Sequence, residues 1–320
     1  MANKKNQQKA GSQDQPSLLQ TYDSDLERFA RRVGKDRAAS SYTRQQQSRK
    51  CVASFLADNL QRSDIPLSEL TSQFIHDYAF YLSTERSMRP GSVWLLTQML
   101  KGVVARACQR RLLSGNPFAD FHVSKNIRNR EYLTEQELNR LMACQPRQAS
   151  LRFARDLFVF AALTGMSFVD IRNLRPADIT HVNGEYWIQA SRQKTRTAFM
   201  VRLVPAALDI VSSYCGSGET IFGPVVYRTL AAQMSRLMQC CGITKHITFH
   251  CARHTFAVMA LNAGMPIESV SRILGHTNIA TTQIYAKITM NKLSRDMGLF
   301  DQHLARVCKR EGESDFAKKT

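Results

Sequence analysis

ITFHCARHTFAVMALNAGMPIESVSRILGHTNIATTQIYAKI, residues 247–288, holds His250, Arg253, His254, His276 and Tyr285 in one short stretch. Residues three apart lie on one face of a helix, so His250 and Arg253 are expected to point the same way. The planar fork of Arg253 can grip two phosphate oxygens, a geometry that lysine does not match. Leu274-Gly275-His276 reads as a helix end with a histidine placed just after the break. The following Thr277–Thr282 run starts a short helix that presents Tyr285. A phenol with an ordinary pKa of about 10 is a poor nucleophile at neutral pH, so nearby cations and a base are needed to activate it. His254 has two readings, a packing residue that steadies the helix or a chemical participant. Cations, hydrogen-bond donors and a nucleophile together point to chemistry on a phosphate.

The charge balance agrees with that reading. The chain has 320 residues, 44 Lys and Arg against 26 Asp and Glu, and a net charge of +18. The excess is shared, +10 over residues 1–130 and +8 over the rest. Both halves therefore suit a long polyanion, nucleic acid or an acidic membrane surface. No apolar run is long enough to span a membrane, and the N-terminal MANKKNQQKAGSQDQPS lacks the apolar core of a secretory signal. The 8 cysteines are scattered without a CxxC pair, which reads as reduced thiols in a cytoplasmic protein and not as a zinc site. At this length two domains are expected.

Working outward through the chain, residues 1–17 read as a disordered arm. Apolar residues at helical spacing (Leu26, Phe29, Val33; Val52, Phe55, Leu56; Phe74, Ile75, Tyr78; Leu96, Met99, Val103) predict four or five helices over 18–122, with no strand signal. Ser40 or Ser41 is the expected cap of the second helix, whose polar face includes Arg44. Residues 101–130 carry seven basic residues and one acidic, and 123–130 reads as a basic linker. Thr134 with Glu137 forms a capping box that opens a second domain, 131–290. Strands are predicted at Ile179–Val182, Tyr186–Ala190 and Ala198–Leu203, the first two joined by an Asn183-Gly184 turn. A tail, 291–320, starts helical with Leu293, Met297, Leu299 and Phe300.

The combination His-x-x-Arg, Leu-Gly-His and Tyr nine residues on resembles the tyrosine recombinase (phage integrase) family, over about residues 18–300. It is similar in particular to integrases of Bacteroides-type conjugative transposons and to invertases. The resemblance implies a mainly α fold: an N-terminal helical core-binding (SAM-like) domain, then a mixed α+β catalytic domain with a small antiparallel sheet. It implies attack of Tyr285 on a DNA phosphate, giving a 3′-phosphotyrosyl bond and a free 5′-hydroxyl, without a cofactor or metal. Arg253, His250 and His276 would hold the phosphate. Lys194, in the turn between two strands, would protonate the departing 5′-oxygen, while its neighbours Arg192 and Arg196 read as DNA-backbone contacts. Arg44, Lys101 and Lys125 are further DNA-contact candidates.

The implied partners are double-stranded DNA, a homo-tetramer assembled on it, and accessory DNA-bending proteins, with no membrane. The implied activity is integration and excision of a mobile element, or inversion of a DNA segment. A type IB topoisomerase-like nicking and closing activity and a silent DNA-binding protein are the alternatives. About 17 residues precede the first helix, which favours an invertase or short integrase. The tail is read as packing on a neighbouring subunit or, alternatively, on its own domain.

One position departs from the pattern. Thr164-Gly165-Met166-Ser167 has serine where the family carries its first catalytic arginine. A serine supplies no charge, a loss of about 1.5–3 kcal/mol and one or two orders of magnitude in rate. Three explanations compete: retained activity, since the Bacteroides-type integrases that this chain resembles include members with serine here; replacement of the charge by Arg152, Arg155 or Arg172; or a slow enzyme.

Overall fold

The computed structural model describes residues 16–124, 131–193, 195–216, 218–285 and 297–305. The chain divides into two compact units, residues 1–128 and 129–320. The expected arm up to residue 15, Lys125 with most of the basic linker, Lys194, and Leu293 lie outside the described residues.

In the first unit four helices, α1 (Leu18–Ala30), α2 (Ala39–Leu60), α3 (Ser72–Thr84) and α4 (Pro90–Gln109), enclose one core. The predicted periodicities converge there. Phe55 of α2 lies with its ring 5.3 Å from Phe74 and 5.4 Å from both Tyr78 and Tyr81 of α3. Tyr22 of α1 is buried and donates its hydroxyl proton to Ser48 of α2 across 2.8 Å. Asp25 accepts from Arg106 at 2.7 Å and Arg110 at 2.5 Å, tying α1 to α4. The starts follow ordinary capping chemistry: Ser17 and Thr71 cap α1 and α3, and Pro90 occupies the first turn of α4.

The expected cap of α2 is wrong. Ala38 is the extended residue before the helix, so Ser40 and Ser41 already lie inside the first turn, and the Ser41 N–H bonds to Ala38. A serine there no longer has the extended backbone that aims its hydroxyl at the helix N–H groups.

The second unit begins with α5 (Glu135–Ala143), whose capping box forms in both directions: Glu137 N–H to Thr134 at 3.2 Å, Thr134 N–H to Glu137 at 2.7 Å. The apolar α6 (Ala149–Thr164) is the central rod, packed by α8 (Pro205–Tyr214), α9 (Tyr227–Cys240) and α10 (Cys251–Asn262). α6 ends at Gly165, which takes the left-handed conformation at φ 70°. The short α7 (Phe168–Arg172) then leads to β1 (Ile179–Val182), β2 (Glu185–Ser191) and β3 (Ala198–Arg202), an antiparallel meander in that order.

Asn183 and Gly184 both have positive φ, 52° and 78°, so the turn twists as a two-residue hairpin requires. Val182 pairs with Glu185 across it. Ile179, Ile188 and Val201 face one another in register and turn one side of the sheet to the core. Two short helices, α11 (Ile267–Ile273) and α12 (Ala280–Gln283), follow α10. Residues 297–305 are helical, with Met297 50%, Leu299 59% and Phe300 53% exposed.

Candidate active site

Arg253 is the hub of the residues in the opening stretch. It lies in the first turn of α10 and is 3% exposed. Its guanidinium donates to the carbonyl of Gly165 at 2.7 Å, to that of Leu274 at 2.5 Å, and to Nε2 of His276 at 2.8 Å. These carbonyls belong to the ends of α6 and α11, which carry the negative pole of each helix. Two glycines make room for this arrangement. A side chain on Gly165 would stand 2.7 Å from Phe256, and one on Gly275, at φ 59°, would stand 2.8 Å from Arg192. Burial, together with the positive charge of Arg192, pushes the Arg253 pKa down to about 9. It stays a cation at neutral pH. An anion docked beside it would relieve both penalties.

His276 is fixed through both nitrogens. Nε2 accepts from Arg253, so the ring proton lies on Nδ1, which donates to the buried Thr282 hydroxyl at 2.8 Å. Thr282 belongs to α12, and Tyr285 follows two residues after that helix. The Tyr285 hydroxyl meets Nδ1 of His254 at 2.5 Å. His254 is 3% exposed, and its ring lies edge-on to His250 at 4.4 Å and tilted to Tyr285 at 5.1 Å. The exposed His250 caps α10 and borders, with Ser167, Val169, Phe249 and Arg253, an open hollow of about 490 Å³. The opening stretch therefore folds back on itself, and His254 is a direct partner of the tyrosine.

The second cation is Arg192, on the first residue beyond the β2–β3 ladder. It donates to the Asp170 carboxylate at 2.7 Å. The same carboxylate accepts from the Ser167 hydroxyl at 2.7 Å and from the Gln193 N–H at 3.1 Å. Ser167, the departure from the family pattern, thus shares Asp170 with an arginine from the hairpin. The Arg192 side chain also lies along Gly275, next to His276.

This arrangement corrects two of the three arginines expected to compensate. Arg155 bonds Asp156 and the Cys144 carbonyl, and Arg152 bonds the carbonyls of Pro146 and Arg147, all at the opening of α6. Arg172 is exposed at the end of α7. It also changes Arg192 from an expected DNA-backbone contact to a largely buried partner of Asp170. The signal was present in the strand: side chains alternate, and Arg192 falls on the inward side with Ile188 and Ala190. No spacing in the sequence brings His254 to Tyr285, 31 residues away.

The remaining candidates separate. Arg196 is exposed at the hairpin tip with φ 55°, and Arg44 is exposed on α2. Lys101 instead bonds the Phe121 carbonyl at 2.6 Å and so ties down the end of its own unit.

Comparison with known proteins agrees with this architecture. The profile of the phage integrase family matches residues 131–292, and that of the phage integrase SAM-like domain matches residues 17–125. A tyrosine recombinase XerC of Oceanobacillus iheyensis is 27% identical over 201 residues, 57% of this chain. That match spans 65% of the Oceanobacillus protein, just under two thirds of its length. Among solved structures, the Tn1549 transposon integrase in complex with a circular intermediate DNA superposes with TM-score 0.72 at 17% identity, covering 88% of this chain and 99% of that one. A lambda integrase tetramer bound to a Holliday junction gives TM-score 0.66 at 19% identity, covering 83% and 79%. At such identities the structural likeness concerns the fold: a mainly helical chain with a SAM-like N-terminal domain and a catalytic domain bearing a small antiparallel sheet.

Proposed function

Since the chain belongs to the phage integrase family, we propose that it is a site-specific DNA recombinase that cuts and rejoins strands through Tyr285. The Tyr285 oxygen attacks the scissile phosphorus, the bond to the 5′-oxygen breaks, and a 3′-phosphotyrosyl link holds the bond energy until another 5′-hydroxyl attacks. The observation that carries this reading is the placement of the Tyr285 hydroxyl on His254 of α10, one residue beyond the buried Arg253. Arg253 and His276 form one rigid hydrogen-bonded unit, and such preorganised donors stabilise charge that develops on a phosphate.

Arg192 supplies the second positive charge that Ser167 cannot. Its closeness is felt in the depressed Arg253 pKa, and Asp170 and Gly275 hold it in place. Lys194, two residues on, is the proposed acid for the leaving oxygen, on the strength of the family resemblance. Exposed Arg44 and Arg196 are proposed as phosphate contacts, which position the protein without reading sequence. Exchange between two duplexes uses four active sites, so a tetramer on DNA is proposed, as in the lambda integrase assembly. The half-exposed apolar residues at 297–305 are offered to a neighbouring subunit in that assembly.

The test starts with duplexes selected from a random-sequence pool by binding to Tyr285→Phe. Wild type is expected to form a denaturant-resistant protein–DNA adduct on them, with the DNA on Tyr285 by peptide mass, while Tyr285→Phe binds without forming it. Strand exchange by Tyr285→Phe would overturn the assignment. An adduct that relaxes a supercoiled circle without pairing two sites would favour the topoisomerase-like reading.

A further inference from the structure

We infer that His254 is the base that takes the phenolic proton of Tyr285, a role separate from those of His250 and His276. This rests on the reading of Tyr285 as the nucleophile. Three histidines surround the phosphate-binding arginine, and the structure gives each a different task. His276 has both nitrogens engaged, one accepting from Arg253 and one donating to Thr282. Protonating its Nε2 would set a cation against a guanidinium 2.8 Å away. His250 is the exposed cap of α10 beside the open hollow, suited to meeting DNA. His254 is buried one residue after Arg253, and its Nδ1 is 2.5 Å from the Tyr285 oxygen.

The proton balance follows from that contact. With Nδ1 as acceptor, the ring carries its own hydrogen on Nε2. As the oxygen–phosphorus bond forms, the Tyr285 proton moves to Nδ1 and the phosphorus–5′-oxygen bond breaks. That oxygen takes a proton from a separate acid. On rejoining, His254 returns its proton to the departing phenolate.

The surroundings make this step depend on DNA. Among the described residues, His254 meets the rings of His250, from one turn earlier on α10, and Tyr285, from the segment after α12. Arg253 is its chain neighbour, and Arg192 adds charge to the same site. A phosphate bound at Arg253 would offset the positive charge that Arg253 and Arg192 bring to the site, so proton transfer from the tyrosine is favoured when substrate arrives. A proton acceptor within hydrogen-bond reach of the attacking oxygen has the geometry of a general base.

The experiment uses the full chain and the selected duplex, with the cleavage position mapped by the wild-type adduct. A second duplex carries a bridging 5′-phosphorothiolate at that position, so that the leaving group needs no proton. Adduct formation is followed in single turnover at saturating protein from pH 6 to 9, for wild type, His254→Asn and His254→Gln. Asparagine keeps an oxygen acceptor where Nδ1 stands but does not take up a proton.

The expected result is a loss of about 100-fold at pH 7 in His254→Asn, equal on the oxygen and sulfur duplexes, with unchanged DNA affinity. The variant rate should rise about tenfold per pH unit, as free phenolate becomes available. Wild type should level off once imidazole is neutral, ordinarily above about pH 6.5. A His254→Asn rate within about threefold of wild type, or a loss identical at every pH, would overturn the proposal. So would a wild-type rate on the sulfur duplex that climbs tenfold per unit up to pH 9, a result that needs no variant to fold. A wild-type adduct on Tyr285 with His254→Asn unaffected sinks this role alone. No adduct on Tyr285 at all removes the underlying reading as well.

Discussion

Replacing Arg192 by alanine tests how the site functions without an arginine at position 167. The Arg192 and Asp170 side chains are 15% and 5% exposed and 2.7 Å apart. Among the described residues, truncating the arginine leaves the carboxylate with the Ser167 hydroxyl and the Gln193 N–H. Breaking a buried pair from one side costs about 3 kcal/mol of stability, a fall in melting temperature of roughly 6–12 °C for a unit of this size. The loss of one charged hydrogen bond to the phosphate is worth about 1.5–3 kcal/mol in the transition state, or about 10- to 150-fold in rate.

The two effects separate in the double variant. Ser167→Arg combined with Arg192→Ala puts a guanidinium next to Asp170 from the other side. It should recover both the stability and most of the cleavage rate, to within about tenfold of wild type. The assay is single-turnover adduct formation on the selected duplex beside thermal unfolding of each variant. A folded Arg192→Ala chain that cleaves at the wild-type rate would refute the argument. A double variant that regains stability but stays as slow as Arg192→Ala would show that an arginine at position 167 does not replace the charge of Arg192 at the phosphate.

Three further outcomes follow from the packing. Gly165→Ala forces a side chain to a positive φ and onto Phe256, and is expected to destabilise the second unit by about 2–4 kcal/mol, read by denaturant unfolding. Thr282→Val leaves the His276 N–H without its acceptor and should lower stability by about 1–3 kcal/mol and slow adduct formation, with DNA affinity kept. Glu137 has its pKa lowered: burial opposes this, but the bonds from Lys245 and Thr134 outweigh it. Its contribution is therefore full above the free glutamate value of about 4.3 and is lost as pH falls through the lower folded value. Glu137→Gln should cost about 1 kcal/mol at pH 7 and nothing at the acid end of that window, measured by unfolding across pH.

Much of the fold could be read directly from residues whose signals are local. The capping box at Thr134 and Glu137, the break at Gly165, the Asn183-Gly184 hairpin and the periodic apolar residues of the first unit each depend on neighbours a few positions away. The start of α2 was misplaced because four consecutive small residues, Ala38, Ala39, Ser40 and Ser41, leave the choice of cap to the backbone entering from Arg37. Among the site residues, His276 and Arg253 were legible as a motif. Arg155 and Arg152 were misread because an arginine's destination is set by whichever carbonyls and carboxylates fold to within its reach.

By itself, the sequence determined that this chain is a basic, two-unit, mainly helical protein with a tyrosine, an arginine and histidines spaced for phosphate chemistry. Helix period, turn chemistry and net charge are properties of short segments and of composition, and they survive without a fold. Only the tertiary structure decided which groups answer one another: Arg192 to Asp170 across 22 residues, and His254 to Tyr285 across 31. The first contact depends on a strand that alternates inward at Arg192 and on a glycine at 275 that leaves room for it. Charge placement at the site is a long-range property, set when separate helix ends and a hairpin converge on one buried guanidinium.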